Sequence, residues 1–210
     1  MMSIICLIGA DGVGKTTYAK WLVSFLRARG RSAIYVHVLS SRKHVISLLK
    51  LNALGYRLIR RSMSETLIIH PKKHRIINFM RLLLRLAIEV LYSWTIYIIY
   101  KYVIYREKII VFDRYFYDII ISICRLHRKY TSLILSLVPI IPRPGLILLL
   151  EADLKTLAKR RREQNIHELA EYVRLYKILR KRLTNVIHIN TDVNSSYVKH
   201  LLKIIISRYF

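Results

Sequence analysis

The sequence predicts an α/β fold, a parallel sheet of about five strands with helices on both faces. Three observations carry that prediction. Five short apolar runs, at 4–8, 32–39, 109–112, 146–150 and 186–189, are separated by segments whose apolar residues recur at helical spacing. Most of these runs are continuous rather than alternating, as strands buried on both faces require. A glycine-rich stretch joins the first run to the first helix, at the carboxyl end of a strand, where an open sheet of this kind binds its ligands.

The elements follow in order. After Ile4-Ile5-Cys6-Leu7-Ile8, the residues Tyr18, Ala19, Leu22, Val23 and Leu26 recur at helical spacing and stop near Gly30. Ser32 to Leu39 is rich in β-branched and aromatic residues and reads as the second strand; His37 within it reads as a core or edge residue. Residues 40–81 are basic and weakly patterned, with Glu65 their only acid, a short helix expected near Leu48–Leu54 and a break at Pro71. This insertion fits a substrate-site segment and a solvated flap equally well. A helix is expected from about Asn78 to Tyr105, with Arg81, Arg85 and Glu89 four apart on one side. Beyond the third strand, Tyr117 to Tyr130 is amphipathic and leads to a loop bounded by Pro139 and Pro144. Leu154 to Leu183 reads as one charged helix, and Ser196 to Arg208 as the closing one.

The 210 residues are expected to form a single domain. With 37 Lys and Arg against 12 Asp and Glu, the formal charge of +25 favours polyanionic partners, whether nucleotide, nucleic acid or anionic lipid. Because the excess is spread along the chain, it selects none of them. Cys6 and Cys124 both lie in apolar runs and read as buried thiols, not as a zinc site or a disulfide. The glycine-rich stretch begins at residue 9, leaving no room for a leader, and a cytoplasmic location is expected. Leu86 to Tyr105 is strongly apolar, but only 11 uncharged residues separate Glu89 from Lys101. A spanning helix needs about 18 or more, so a buried or partly interfacial helix is expected and no transmembrane segment.

The chemistry gathers in a few places. Gly9-Ala10-Asp11-Gly12-Val13-Gly14-Lys15-Thr16-Thr17 fits G-x-x-x-x-G-K-[ST], and with its strand and helix it predicts a three-layer P-loop NTPase fold. Gly9, Gly12 and Gly14 let backbone N–H groups close around phosphate, with Asp11 and Val13 between them. Lys15 brings a mobile positive charge to the phosphates, and Thr16 offers a hydroxyl to Mg²⁺. ATP and Mg²⁺ are the expected ligands. Asp11 places a negative charge beside phosphate and needs balancing by metal, arginine or a hydroxyl. Asp113 ends the third strand, where a carboxylate can serve Mg²⁺ through water or orient an attacking group. Arg114 follows and can grip phosphate with its planar fork, although a plain Asp113–Arg114 salt bridge is the competing reading. Lys159-Arg160-Arg161-Arg162 lies in a lid-like segment at about 155–170, where Arg160 and Arg161 could stabilise a transferring phosphoryl group. A solvated helix face competes there.

Taken together, these residues resemble the thymidylate kinases. The resemblance rests on the loop with its internal acid, on Asp113-Arg114-Tyr115 after an apolar strand, and on the arginines that follow Leu148-Leu149-Leu150-Glu151. Glu171 to Tyr176 is similar to the family's helix beyond its lid, and Ile187 to Asp192 to its last strand and the loop near the adenine. The resemblance implies that Lys15, Thr16 and Thr17 bind ATP phosphates and Mg²⁺. It further implies that Arg114 holds the acceptor's phosphate, that Asp113 serves metal and acceptor, and that Asp11 meets the acceptor's sugar. Two stretches depart from the family pattern. Its Glu-Pro motif after the second strand is replaced by Val38-Leu39-Ser40-Ser41-Arg42-Lys43, and the polar run after Asp-Arg-Tyr by Phe116-Tyr117-Asp118-Ile119-Ile120.

The expected function is transfer of the γ-phosphoryl of ATP to a nucleoside monophosphate, with dTMP first in line. A kinase for another small phosphorylated or hydroxylated molecule stays open, as does a nucleotide-binding module on nucleic acid or an anionic membrane. Homodimer formation is left open as well.

Overall fold

Every side chain of β1 (Ile4–Ile8) is buried, and in β4 (Leu146–Glu151) only the last residue is partly exposed. Neighbours in a strand point to opposite faces, so an unbroken buried run requires cover on both sides of the sheet. The computed structural model describes residues 4–38, 75–104, 107–161 and 163–209. The strands β1, β2 (Ala33–His37), β3 (Ile109–Asp113), β4 and β5 (Val186–Asn190) form one all-parallel sheet in the order β2-β3-β1-β4-β5. The chain is therefore α/β with a five-stranded parallel sheet and helices, as its pattern predicts.

The helices are α1 (Lys15–Ala28), α2 (Arg75–Ile98, continued by a π-helical stretch Ile99–Ile104) and α3 (Phe116–Leu126). They are followed by α4 (Thr131–Leu135), α5 (Leu154–Arg160), α6 (Ile166–Arg180) and α7 (Ser195–Tyr209). Tyr18, Ala19, Leu22, Val23 and Leu26 are the buried face of α1, the same residues that the helical period selects. Cys6 and Cys124 are buried free thiols.

Two boundaries differ from expectation. The basic segment does not run to residue 81, because α2 begins at Arg75; residues 39–74, with the expected helix near 48–54 and the break at Pro71, lie outside the described residues. The single helix expected over 154–183 is two. Asn165 caps the second by accepting a bond from the His167 N–H at 2.9 Å, an interaction that favours a helix start over a helix interior. Among the described residues the lid-like segment at 155–170 is thus nearly all of α5, a turn and the start of α6. By length and composition alone Ile76–Val103 is long and apolar enough to cross a membrane, its most apolar 18-residue window having a mean hydropathy of 1.7. Its inner face nevertheless packs on protein, where Tyr92 meets Phe116 and Tyr100 meets Phe112.

Parallel pairing sets the site. Leu7 of β1 and His37 of β2 flank Asp113 in register, so the β1–α1 loop and the end of β3 emerge side by side at the carboxyl edge.

Candidate active site

The loop from Gly9 to Gly14 leaves β1 with three residues in the left-handed region, Gly9 at φ 144°, Gly12 at 91° and Gly14 at 90°. At Gly9 no other residue fits, since a Cβ would lie 2.3 Å from the Leu150 carbonyl oxygen of the neighbouring strand. Gly9→Ala is therefore expected to push β1 and β4 apart and to lower Tm by several degrees. A thermal melt checks this: the usual cost of backbone strain and overpacking, about 1–3 kcal/mol, is a large fraction of a domain's stability.

Lys15 is buried, only 5% exposed, so it is not the freely mobile charge that the pattern suggests. Its ammonium donates to the carbonyls of Gly9 at 2.6 Å and Ala10 at 2.8 Å, and to Asp11 Oδ1 at 3.5 Å. Burial lowers its pKa from the ordinary lysine value, against the pull of Asp118, Asp11 and Asp113. The charge is held inside the curl of the loop.

Asp11 is balanced by arginine, the second of the three partners that the sequence left open. Arg114 Nη2 reaches Asp11 Oδ1 at 2.7 Å. Burial pushes the Asp11 carboxyl up, but the Lys15 and Arg114 charges and hydrogen bonds outweigh it and leave the pKa below the usual carboxylate value. Arg114 itself sits at φ 68°, a left-handed conformation that a branched-chain or long side chain rarely adopts and that clusters at functional sites. Its backbone N–H bonds the Leu7 carbonyl at 3.1 Å, which ties the strained residue to β1.

Asp113 and Arg114 diverge, so the competing reading of a plain salt bridge between them is not what the geometry gives. Fully buried Asp113 accepts from the Thr16 hydroxyl and from the Tyr35 hydroxyl, each at 2.6 Å and each on Oδ2. Its Oδ1 is buried and without a hydrogen-bond partner. A hydroxyl and a carboxylate oxygen with spare capacity, side by side, are hard oxygen donors of the kind Mg²⁺ takes, usually with water and substrate phosphate completing its shell. Among the described residues no group of three or more His, Cys, Asp and Glu could hold a metal ion. Val13 is buried under the loop, and Thr17 lies exposed on the first turn of α1.

Arg160 crosses to the loop from the end of α5. Nη1 lies 3.3 Å from the Gly12 carbonyl, and Nη2 donates to the Thr191 carbonyl at 2.8 Å, joining the loop to the turn after β5. The Cγ of Arg161 is 3.1 Å from where a Cβ on Gly12 would stand. Both arginines thus border the loop; Arg162 lies outside the described residues.

Other residues were not singled out in the sequence. Asp118 is buried at the third position of α3 and accepts from the Tyr176 hydroxyl at 2.5 Å, the Tyr115 N–H at 2.8 Å and the Gly9 N–H at 3.4 Å. Burial pushes its pKa up. A scarce acid three residues into a helix that opens on Asp113-Arg114-Tyr115 was the available signal. Tyr35 was legible only by parity, because it shares a strand face with His37, which pairs with Asp113.

Two cavities flank the loop and share Ala10 and Tyr176. One of about 180 Å³ is bordered by Asp11, Arg85, Glu89, Arg114 and Asp118. The other, of about 870 Å³, lies towards β5 and is bordered by Val13, Asp153, Lys177, Arg180, Asn190 and Asp192. Glu89, which ordinary side-chain pairing along the helix can explain, is buried and borders the smaller cavity.

No protein-family model matches the chain, and no curated protein is significantly similar to it.

Proposed function

We propose that the chain is an ATP-dependent phosphotransferase of the P-loop kinase type. On this reading it moves the γ-phosphoryl of ATP to a phosphorylated acceptor, with a nucleoside monophosphate such as dTMP first in line. The observation that carries the reading is the glycine loop set between two cavities, with Lys15, Asp113 and Arg114 beside it. Transfer between two bound molecules needs such a meeting point, and holding both reactants there supplies much of the rate.

In this assignment the larger cavity takes the nucleoside of ATP, and the loop N–H groups and Lys15 take its phosphates. Arg114 holds the acceptor's phosphate after exchanging part of its bond to Asp11. Thr16 and, through water, Asp113 would hold Mg²⁺, which when bound offsets charge on the phosphate oxygens. The acceptor's phosphate oxygen attacks the γ-phosphorus, the bond to the β-bridging oxygen breaks, and ADP leaves with that electron pair. An acceptor monophosphate is already largely ionised at neutral pH, so no strong base is required. Asp113 keeps Thr16 and Tyr35 in place while this happens. Arg160, anchored on Gly12 and Thr191, orders the lid over the loop.

Glu89 favours a second reading of the same chemistry. A buried carboxylate beside Arg85 in the smaller cavity suits an acceptor that offers hydroxyl or amino donors, such as another small phosphorylated or hydroxylated molecule. Formation of ADP from ATP and Mg²⁺, measured against a panel of nucleoside monophosphates and phosphorylated sugars, tests the proposal. Stimulation by one class is expected; equal ADP formation with and without every acceptor counts against it.

Arg160→Ala gives a narrower test. Arg160 is hydrogen-bonded to carbonyls, and its worth to catalysis lies in charge and order near the transferring group. Turnover is expected to fall by about tenfold or more, with ATP affinity changing less. Steady-state kinetics beside ATP titration separate the two, and an equal loss in both would mark Arg160 as a binding contact only.

A further inference from the structure

The helix α2 with its π-helical extension is apolar on two opposite sides. Its inner side, Leu82, Leu86, Glu89, Ser93, Ile96 and Tyr100, is buried. At about 100° per residue, Met80, Leu84, Leu91, Trp94, Ile98 and Tyr102 fall together on the other side. All six are exposed, Leu84 at 62% and Leu91 at 68%. The fold uses the first side, and among the described residues nothing covers the second over about 35 Å of helix. An apolar groove of about 410 Å³ continues that surface, formed by Leu83, Ala87 and Val90 with Leu133, Leu137 and Ile140. Trp94 closes its end by donating from its indole nitrogen to the Ile140 carbonyl at 2.9 Å.

Basic residues border this surface. By the helical period, Arg81 and Lys101 fall on opposite shoulders of the exposed stripe. Exposed Lys129, and Arg128, which is paired with Glu171 at 2.5 Å, stand in the 3₁₀ turn whose Tyr130 ring packs 5.1 Å from Phe79 of the helix. The whole chain carries +25. A second copy would bring two such charges together, whereas an anionic surface attracts them. An apolar helix side with Trp and Tyr on it and a cationic rim is the pattern of a helix lying in the plane of a membrane interface. The buried inner side, with Glu89 and Ser93, excludes a span surrounded by lipid unless the core opens.

We propose that the outer face of α2, with its adjoining groove, docks flat on an anionic phospholipid bilayer. The site chemistry stands apart from this surface, so the proposal does not depend on the phosphotransfer reading. The test is co-sedimentation of the full chain with vesicles of phosphatidylcholine, alone or with roughly a third phosphatidylserine. Binding to the mixed vesicles is expected, much weaker binding to phosphatidylcholine alone, and a loss on raising salt. The variant Leu84→Gln/Leu91→Gln/Ile98→Gln alters exposed positions only. It is expected to keep the parent's thermal melt and to weaken vesicle binding by at least about tenfold. Absence of binding to mixed vesicles would overturn the proposal, and so would unchanged binding by a folded triple variant. Sedimentation velocity supplies the other arm. A stable dimer that the triple variant converts to monomer would assign this face to a second copy instead.

Discussion

Lys15→Ala is expected to reduce ATP-dependent turnover by about 10²–10³-fold, the usual cost of losing a fixed charge aimed at developing negative charge. The side chain is buried and bonded to the Gly9 and Ala10 carbonyls, so a modest stability loss should accompany it. Each orphaned loop carbonyl costs up to about 1–3 kcal/mol, the same order as the roughly 2.7–4 kcal/mol in the rate, so turnover is compared at equal amounts of folded protein. Lys15→Arg separates the roles, because it keeps the charge but its planar fork cannot fit the same curl. Turnover by purified, folded Lys15→Ala at the parental rate would remove the loop from the chemistry.

Arg114→Ala should raise the acceptor's KM by about ten- to a hundredfold while ATP binding barely changes. One charge-assisted contact to phosphate is worth about 1.5–3 kcal/mol. Asp11 complicates the reading, since it loses its 2.7 Å partner and, among the described residues, keeps Lys15 at 3.5 Å. Its carboxyl, now held below its ordinary pKa by both cations, should then titrate higher. Because that depressed pKa stabilises the fold above about pH 4 and the benefit fades on acidification, the variant should lose stability at neutral pH and little at low pH. Arg114→Lys restores the charge without the fork and should recover affinity only in part. If ATP and acceptor weaken alike in Arg114→Ala, the residue is a support for the loop rather than the acceptor's anchor.

Much of the fold was legible because its strands are continuous apolar runs. All five runs became strands, and four of them kept their predicted bounds to within one residue. The break at Asn165 was not, since no glycine or proline marks it and a single side-chain cap decides it. The loop residues Gly9 to Thr17, with Asp113 and Arg114, were legible from local order alone: strand, glycines, lysine, and an acid at a strand end. What that order cannot give is which charges meet. That Asp11 pairs with Arg114 across 103 positions, and that Asp113 pairs with Thr16 and Tyr35, follows from the β1–β3–β2 adjacency. Asp118 and Glu89 were passed over for a related reason. The bond of Asp118 to the Gly9 N–H and the place of Glu89 at the smaller cavity come from how α3 and α2 pack, which local order does not give.

The most direct measurement follows the label of γ-labelled ATP in a reaction with Mg²⁺, the chain and a mixture of nucleoside monophosphates, with products separated chromatographically. The expected result is label on a nucleoside diphosphate, in step with ADP, with both signals lost in Lys15→Ala. Label that stays on ATP, or appears only as inorganic phosphate whatever acceptor is present, would contradict phosphoryl transfer by this site.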